Sequence, residues 1–225
     1  MDTKNLKRRL PEIIISLTVA ASFFFSLVYI LAKVILSEAL NYTAEYKIMI
    51  FQCAFGLAII NLPTLLRKLG IQVPTLLAIM FTVFLWCAIF AGEVLNLYYR
   101  VPIWDDILHF YSGILATVFG FSLPNTLNKN AIDDKSQPSA LVISIFAATF
   151  SITLGVMWEI YEFSFDAILG LNMQKFAIKS HGNSHTLVNL IGREALVDTM
   201  TDLITDTSAA VITALIGYFY LERHK

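Results

Sequence analysis

Three short segments carry most of the side chains that could do chemistry: WDDILHF at 104–110, WEIYEF at 158–163 and DTMTDLITD at 198–206. Asp105 and His109 are four residues apart. Glu159, Glu162 and Asp166 follow a three-then-four spacing, and Asp198, Asp202 and Asp206 repeat every fourth residue. On a helix such spacings share one face, and the last triplet drifts only about 40° per step. Each segment therefore presents a polar stripe. Carboxylates gathered in this way either share protons, pair with bases or hold cations. Lysines and arginines are nearly absent from the apolar stretches, and only Arg100 and Arg193 lie near the acidic segments in sequence. Cation binding is the expectation that follows.

Plainer readings cover part of this pattern. Acidic residues favour a helix N-terminus, which would account for Asp198 and in part for Asp202. Asp206 lies about 12 Å further along the axis, beyond the reach of that effect. Inserting an aspartate near the centre of a membrane helix costs roughly 2.5–3.5 kcal/mol, against about 0.3–0.6 returned by a Leu or Ile. Asp105 with His109 fits two metal ligands, or a ligand and the group that orients it. Asp106 points off that face, and Glu93 is placed either to reach water or to join the site. His181 and His185 in KSHGNSH have a suitable spacing, but Gly182 and Asn183 indicate a solvated loop; the sharper alternative is a lid formed by 171–192.

The elements that must position these residues are legible from composition. Of 225 residues, 57% are hydrophobic and 15% charged, with a mean hydropathy of +0.68. That places the chain in the membrane class. Six stretches reach the roughly 20 apolar residues a spanning helix needs: 13–36, 47–66, 74–97, 106–124, 139–166 and 196–221. The expected fold is an all-α polytopic membrane bundle of about six helices forming a single integral-membrane domain over 1–225. The first stretch is too long for a signal h-region and is read as a retained helix. Cys53 and Cys87 lie in apolar runs without a CxxC pattern and read as small hydrophobes.

Ten basic residues fall on the side of the termini and five on the other. By the positive-inside rule both termini are expected in the cytoplasm. Tyr42, Tyr46, Tyr98, Tyr99 and Trp104 would then mark the outer interface. Helix order alone brings the three acidic segments to one depth, in the outer half of the membrane. Gly113, Gly120, Gly155, Ala195 and Ala209 would allow their helices to approach closely.

At WDDILHFYSG, WEIYEF and DTMTDLITD the chain resembles the YjdF-like bacterial inner-membrane proteins, a family without an established activity. The resemblance covers 85–217. Trp104, Asp105, His109, Gly113, Trp158, Glu159, Glu162, Asp198, Asp202 and Asp206 occupy its motif positions. It implies a multi-pass protein of the bacterial cytoplasmic membrane in which these residues act together, and it supplies no reaction. Membrane phosphatases with a Pro-Ser-Gly-His motif, CDP-alcohol phosphotransferases and UbiA-type prenyltransferases match less well, because their defining motifs are missing or incomplete.

The leading expectation is a divalent-cation site serving metal-dependent chemistry on a lipid-like or phosphorylated substrate, as in a hydrolase or transferase. Glu159, Glu162, Asp198, Asp202 and Asp206 are the expected metal ligands, with Asp105 and His109 as the acid/base pair or as further ligands. Oxygen donors favour magnesium, manganese or calcium, and a histidine among them also admits zinc or iron. Partners are the lipid bilayer and the substrate, not nucleic acid; the oligomeric state is left open. A cation or proton transporter using the same stripes is the rival, followed by a structural or partner-binding protein holding a cation. The inner halves of the spans look dry, which disfavours transport.

Overall fold

The computed structural model describes residues 3–36, 44–127, 138–180 and 183–224. Its helices are α1 (Thr3–Leu36), α2 (Ala44–Ile59), α3 (Leu62–Lys68), α4 (Thr75–Leu85), α5 (Leu97–Arg100), α6 (Trp104–Leu127), α7 (Ala140–Leu169) and α8 (Val197–Arg223). Six described stretches are long and apolar enough to span a bilayer: Arg8–Leu36, Tyr46–Lys68, Thr75–Val94, Trp104–Pro124, Ala140–Leu169 and Gly192–Arg223. They match the six expected stretches. Leu17, Phe25, Ile35, Ile168 and Ile216 are among many large apolar side chains left exposed. That pattern suits a surface solvated by lipid rather than water.

The helices sort into two groups. α1, α2 and α4 pack around Val19, Phe23, Cys53, Ile60, Leu85 and Ile89. In the same group Cys53 is free and fully buried, while Cys87 is free and half-buried. The second span breaks at Asn61, with Pro63 in the first turn of α3, where a missing N–H costs least. At its terminal end this group buries Glu12, whose Oε1 meets Arg9 at 3.1 Å and Arg67 at 2.5 Å.

α6, α7 and α8 form the second group, and small residues set how close they come. A Cβ on Gly113 would lie 2.8 Å from the Ala209 Cβ and 2.9 Å from the Asp206 carbonyl oxygen. One on Gly155 would lie 2.7 Å from Asp206 Oδ2. These contacts are possible only without a side chain. The groups meet where the Tyr111 hydroxyl donates to the Met80 carbonyl at 3.1 Å, and where Phe51 of α2 packs on Phe165 of α7 with ring centroids 5.2 Å apart.

Two departures from regular helix matter for the site. After α4 the chain winds as a π-helix over Trp86–Val94, a form concentrated at functional positions. Asn96 then takes a left-handed conformation at φ 63°, and α5 folds Tyr98 back against Gly92. Between α7 and α8, an antiparallel hairpin of β1 (Ala177–Ser180) and β2 (Asn183–Asn189) replaces the expected loop. A 3-10 turn at Gly192–Leu196 leads from it into α8.

Candidate functional site

α8 supplies the central residues. Asp202 is 1% exposed and Asp206 3% exposed, and both face α6. There the i,i+4 pair Asp105 and His109 looks back at them. His109 Nδ1 lies 3.1 Å from Asp206 Oδ2. The Ser112 hydroxyl, which also reaches the His109 carbonyl at 2.8 Å, donates to Asp206 Oδ1 at 2.9 Å. Both Asp206 oxygens are thus engaged behind the imidazole ring. With Nδ1 carrying the proton, Nε2 presents a lone pair on the opposite side.

That side faces Asp202 Oδ2 at 3.7 Å and Asp105 Oδ1 at 3.9 Å. One ligand atom from each of Asp105, His109 and Asp202 lies within 4.8 Å of the other two. Ligands about 2.0–2.6 Å from a common ion sit roughly 3–4 Å apart, so the spacing admits a cation. Among the described residues Asp202 Oδ2 is buried with no hydrogen-bond partner. Buried carboxylate oxygens are normally satisfied, and this one lies 3.7 Å from His109 Nε2.

Lys175 enters from the segment after α7, where its backbone adopts φ 46°. Its ammonium pairs with Asp105 and, at 3.0 Å, with Asp198. Burial opposes the charge, but the two carboxylates outweigh it and hold the Lys175 pKa above the ordinary lysine value. Asp166 fixes the segment that delivers this lysine, because its carboxylate accepts from the backbone N–H groups of Met173 at 2.7 Å and Gln174 at 3.0 Å. The expectation that basic partners come only from Arg100 or Arg193 is therefore corrected: the lysine nearest the carboxylates in space lies in a connecting segment. Asp166 serves the backbone rather than the acidic cluster.

The α7 glutamates stand beside the triplet. Trp158 Nε1 donates to Glu162 Oε1 at 2.9 Å. Among the described residues neither oxygen of buried Glu159 has a partner at hydrogen-bonding distance, although Gln174 and Thr199, joined to each other at 2.9 Å, adjoin it. Glu159, Glu162, Asp198 and Asp206 all lie outside the compact triplet among the described residues. Glu93 accepts from Gln52 at 3.3 Å and lines the same cavity as Glu162. Tyr98, expected at the membrane interface, also lines that cavity. Burial and the neighbouring Asp105, Glu93, Glu162 and Asp202 carboxylates push its phenol pKa well above the usual value. His181 lies outside the described residues, as does the side chain of His185.

A family model described as "Predicted membrane protein (DUF2238)" matches residues 16–223, and the chain belongs to that family. An uncharacterised protein of Thermotoga maritima is 34% identical over 128 residues, covering 56% of this chain and 54% of the relative. The match thus spans about half the relative's length. No solved structure matches. The protein is an integral membrane protein of six apolar helices with a His/Asp cluster in its second helix group.

Proposed function

We propose that Asp105, His109 and Asp202 hold a divalent cation used for hydrolysis or group transfer on a lipid-like or phosphorylated substrate. The observation that carries this reading is Asp202 Oδ2, a buried and unpartnered oxygen 3.7 Å from the His109 nitrogen. Asp206 is the orienting group, since a ligating histidine normally donates its other N–H to a carboxylate. Two carboxylates and one imidazole suit magnesium or manganese and also admit zinc or iron. This assignment differs from the sequence expectation for Asp206, which stands behind the ring, and for Asp105 and His109, which move from acid/base work to ligation. Glu159, Glu162 and Asp198 become neighbours of the ion instead of its closest ligands.

When bound there, a divalent cation supplies Lewis-acid polarisation of a phosphoryl or acyl oxygen. The chain's own residues do the rest. Asp206 keeps the proton on Nδ1 of His109 and fixes the ring plane. Lys175 adds a compact positive charge at the rim, suited to an anionic oxygen. Glu162, which lines the same cavity, would take a proton from an attacking water and return it to the substrate's leaving oxygen as that bond breaks.

Transport is supported less well. Beneath Asp206 the described hydroxyls of Thr117 and Ser151 both donate to the Gly113 carbonyl, at 2.7 and 3.0 Å, and Ser144 donates to Ala140 at 2.8 Å. An ion path would need polar groups left open on both sides of the midplane. Metal analysis of purified protein tests the proposal, comparing wild type with Asp202→Ala and His109→Ala. Copurifying or added manganese should bind near one equivalent in wild type and fall away in both variants. Equal binding in all three would overturn it, and metal-dependent flux into liposomes would return the transport reading.

A further inference from the structure

A cavity of about 1370 Å³ opens beside the site and extends well past it. That exceeds the roughly 300–1,000 Å³ typical of small-molecule pockets. Its lining divides by chemistry. At one end stand Asp105, His109, Ser112, Glu162 and Lys175; the far end is walled by Leu62, Leu66, Val73, Leu77, Phe81 and Phe119. On the α6 wall the lining runs from His109 through Ala116 to Phe119, about 15 Å at 1.5 Å per residue. α4 and the π-helix supply the facing wall, from Leu77 through Phe84 to Ala88. The long axis therefore runs with the helices, as bilayer hydrocarbon chains do.

We infer that this cavity is a channel for a hydrocarbon chain, and that the substrate is a long-chain phosphate ester whose phosphate lies between Lys175 and the Asp105–His109–Asp202 site. The inference rests on the metal reading for the head and on the cavity itself for the tail. An ion or small phosphate has no use for an apolar wall extending this far from the charged end. A chain laid along it removes apolar surface from the membrane–water boundary without leaving hydrocarbon-like surroundings. The head end alone is rich in carboxylate and would suit a cationic group. A divalent cation held there would offer an open coordination position that takes hard anionic oxygen, with the Lys175 ammonium beside it. Two small side chains leave the width a chain requires at different depths: Ala88 stands near the charged end, about 16 Å from Leu77 along its wall, and Ala116 sits about 10 Å beyond His109 along α6 toward the apolar end.

The test uses the full chain in nanodiscs with manganese and four probes: hexadecyl phosphate, octyl phosphate, inorganic phosphate and hexadecylamine. Binding is read by tryptophan fluorescence and calorimetry. Hexadecyl phosphate should bind at least tenfold more tightly than octyl phosphate, and inorganic phosphate more weakly than either. Ala116→Phe should reduce hexadecyl phosphate affinity at least tenfold while octyl phosphate changes far less, and Ala88→Phe, nearer the charged end, should weaken both alkyl phosphates; manganese affinity should be unchanged in both, which also certifies the fold. Equal affinity for the three phosphates overturns the channel, as does an unchanged chain-length preference in Ala116→Phe. Tighter binding of hexadecylamine in the presence of manganese overturns the phosphate head. If wild type binds no manganese, the metal reading fails; a chain-length preference that survives and is lost in Ala116→Phe would leave the channel standing.

Discussion

The two helix groups handle buried charge in opposite ways. In the α1–α2–α4 group one carboxylate, Glu12, sits against two guanidinium groups, from Arg9 and Arg67. In the α6–α7–α8 group Asp105, Asp198, Asp202, Asp206, Glu159 and Glu162 gather around one lysine and one histidine. Charge removed from water is stable when opposite charge accompanies it. The first group meets that condition with its own residues and can be explained as structure. Among the described residues, the second leaves negative charge in excess; buried oxygens without a hydrogen-bond partner occur in both groups, on Glu12 in the first and on Glu159, Asp198 and Asp202 in the second. The difference teaches that acidic residues inside a membrane protein indicate function only after the cations that reach them have been counted.

Substitutions can break this contrast or sharpen it. Asp202→Ala should have the largest effect, an approximately hundredfold or greater loss of manganese affinity with the fold retained, measured by calorimetry. Asp206→Asn should follow with a loss of about 10–100-fold, the range for groups that orient a ligand. Unchanged affinity there would mean that the ring is held without Asp206. Glu12→Gln should behave in the reverse manner. Manganese affinity should stay within about twofold, while thermal unfolding shows a loss of about 2 kcal/mol, below the usual value for a broken buried pair because both arginines are part-exposed. Lys175→Gln is expected to give the smallest change. Because its ammonium occupies Asp105, its removal should tighten manganese binding about fivefold, the scale of one partly exposed charge pair, and weaken phosphate binding.

The six spans and the three acidic stripes were legible because both are local. Hydrophobic run length sets one, and three- and four-residue spacing sets the other. Asp105, His109 and Asp202 could be brought to one depth by helix order alone. Which oxygen faces which ring nitrogen could not, since that depends on the rotation of α6 against α8, set by Gly113 on Ala209. Lys175 escaped for another reason: it lies 70 residues from Asp105 in sequence, and the conformation that aims it depends on Asp166 gripping two backbone N–H groups. Tyr98 carries an interface-type side chain, but the π-helix and the left-handed Asn96 turn it inward. Nothing in WCAIFAGEV announces a π-helix, since the run contains no proline and only Gly92 interrupts its side chains.

The seam where Thr117 and Ser151 both donate to the Gly113 carbonyl has an electrical consequence. Moving one elementary charge through a membrane potential of 100 mV involves about 2.3 kcal/mol, and the potential drops mainly across whatever separates the two aqueous phases. A seam between α6, α7 and α8 whose hydroxyls are satisfied internally contributes to such a separation. The Asp105–His109–Asp202 cluster lies to one side of it and so stays close to the potential of a single aqueous phase. Occupancy by the cation proposed there should follow its concentration in that phase and be nearly indifferent to membrane voltage.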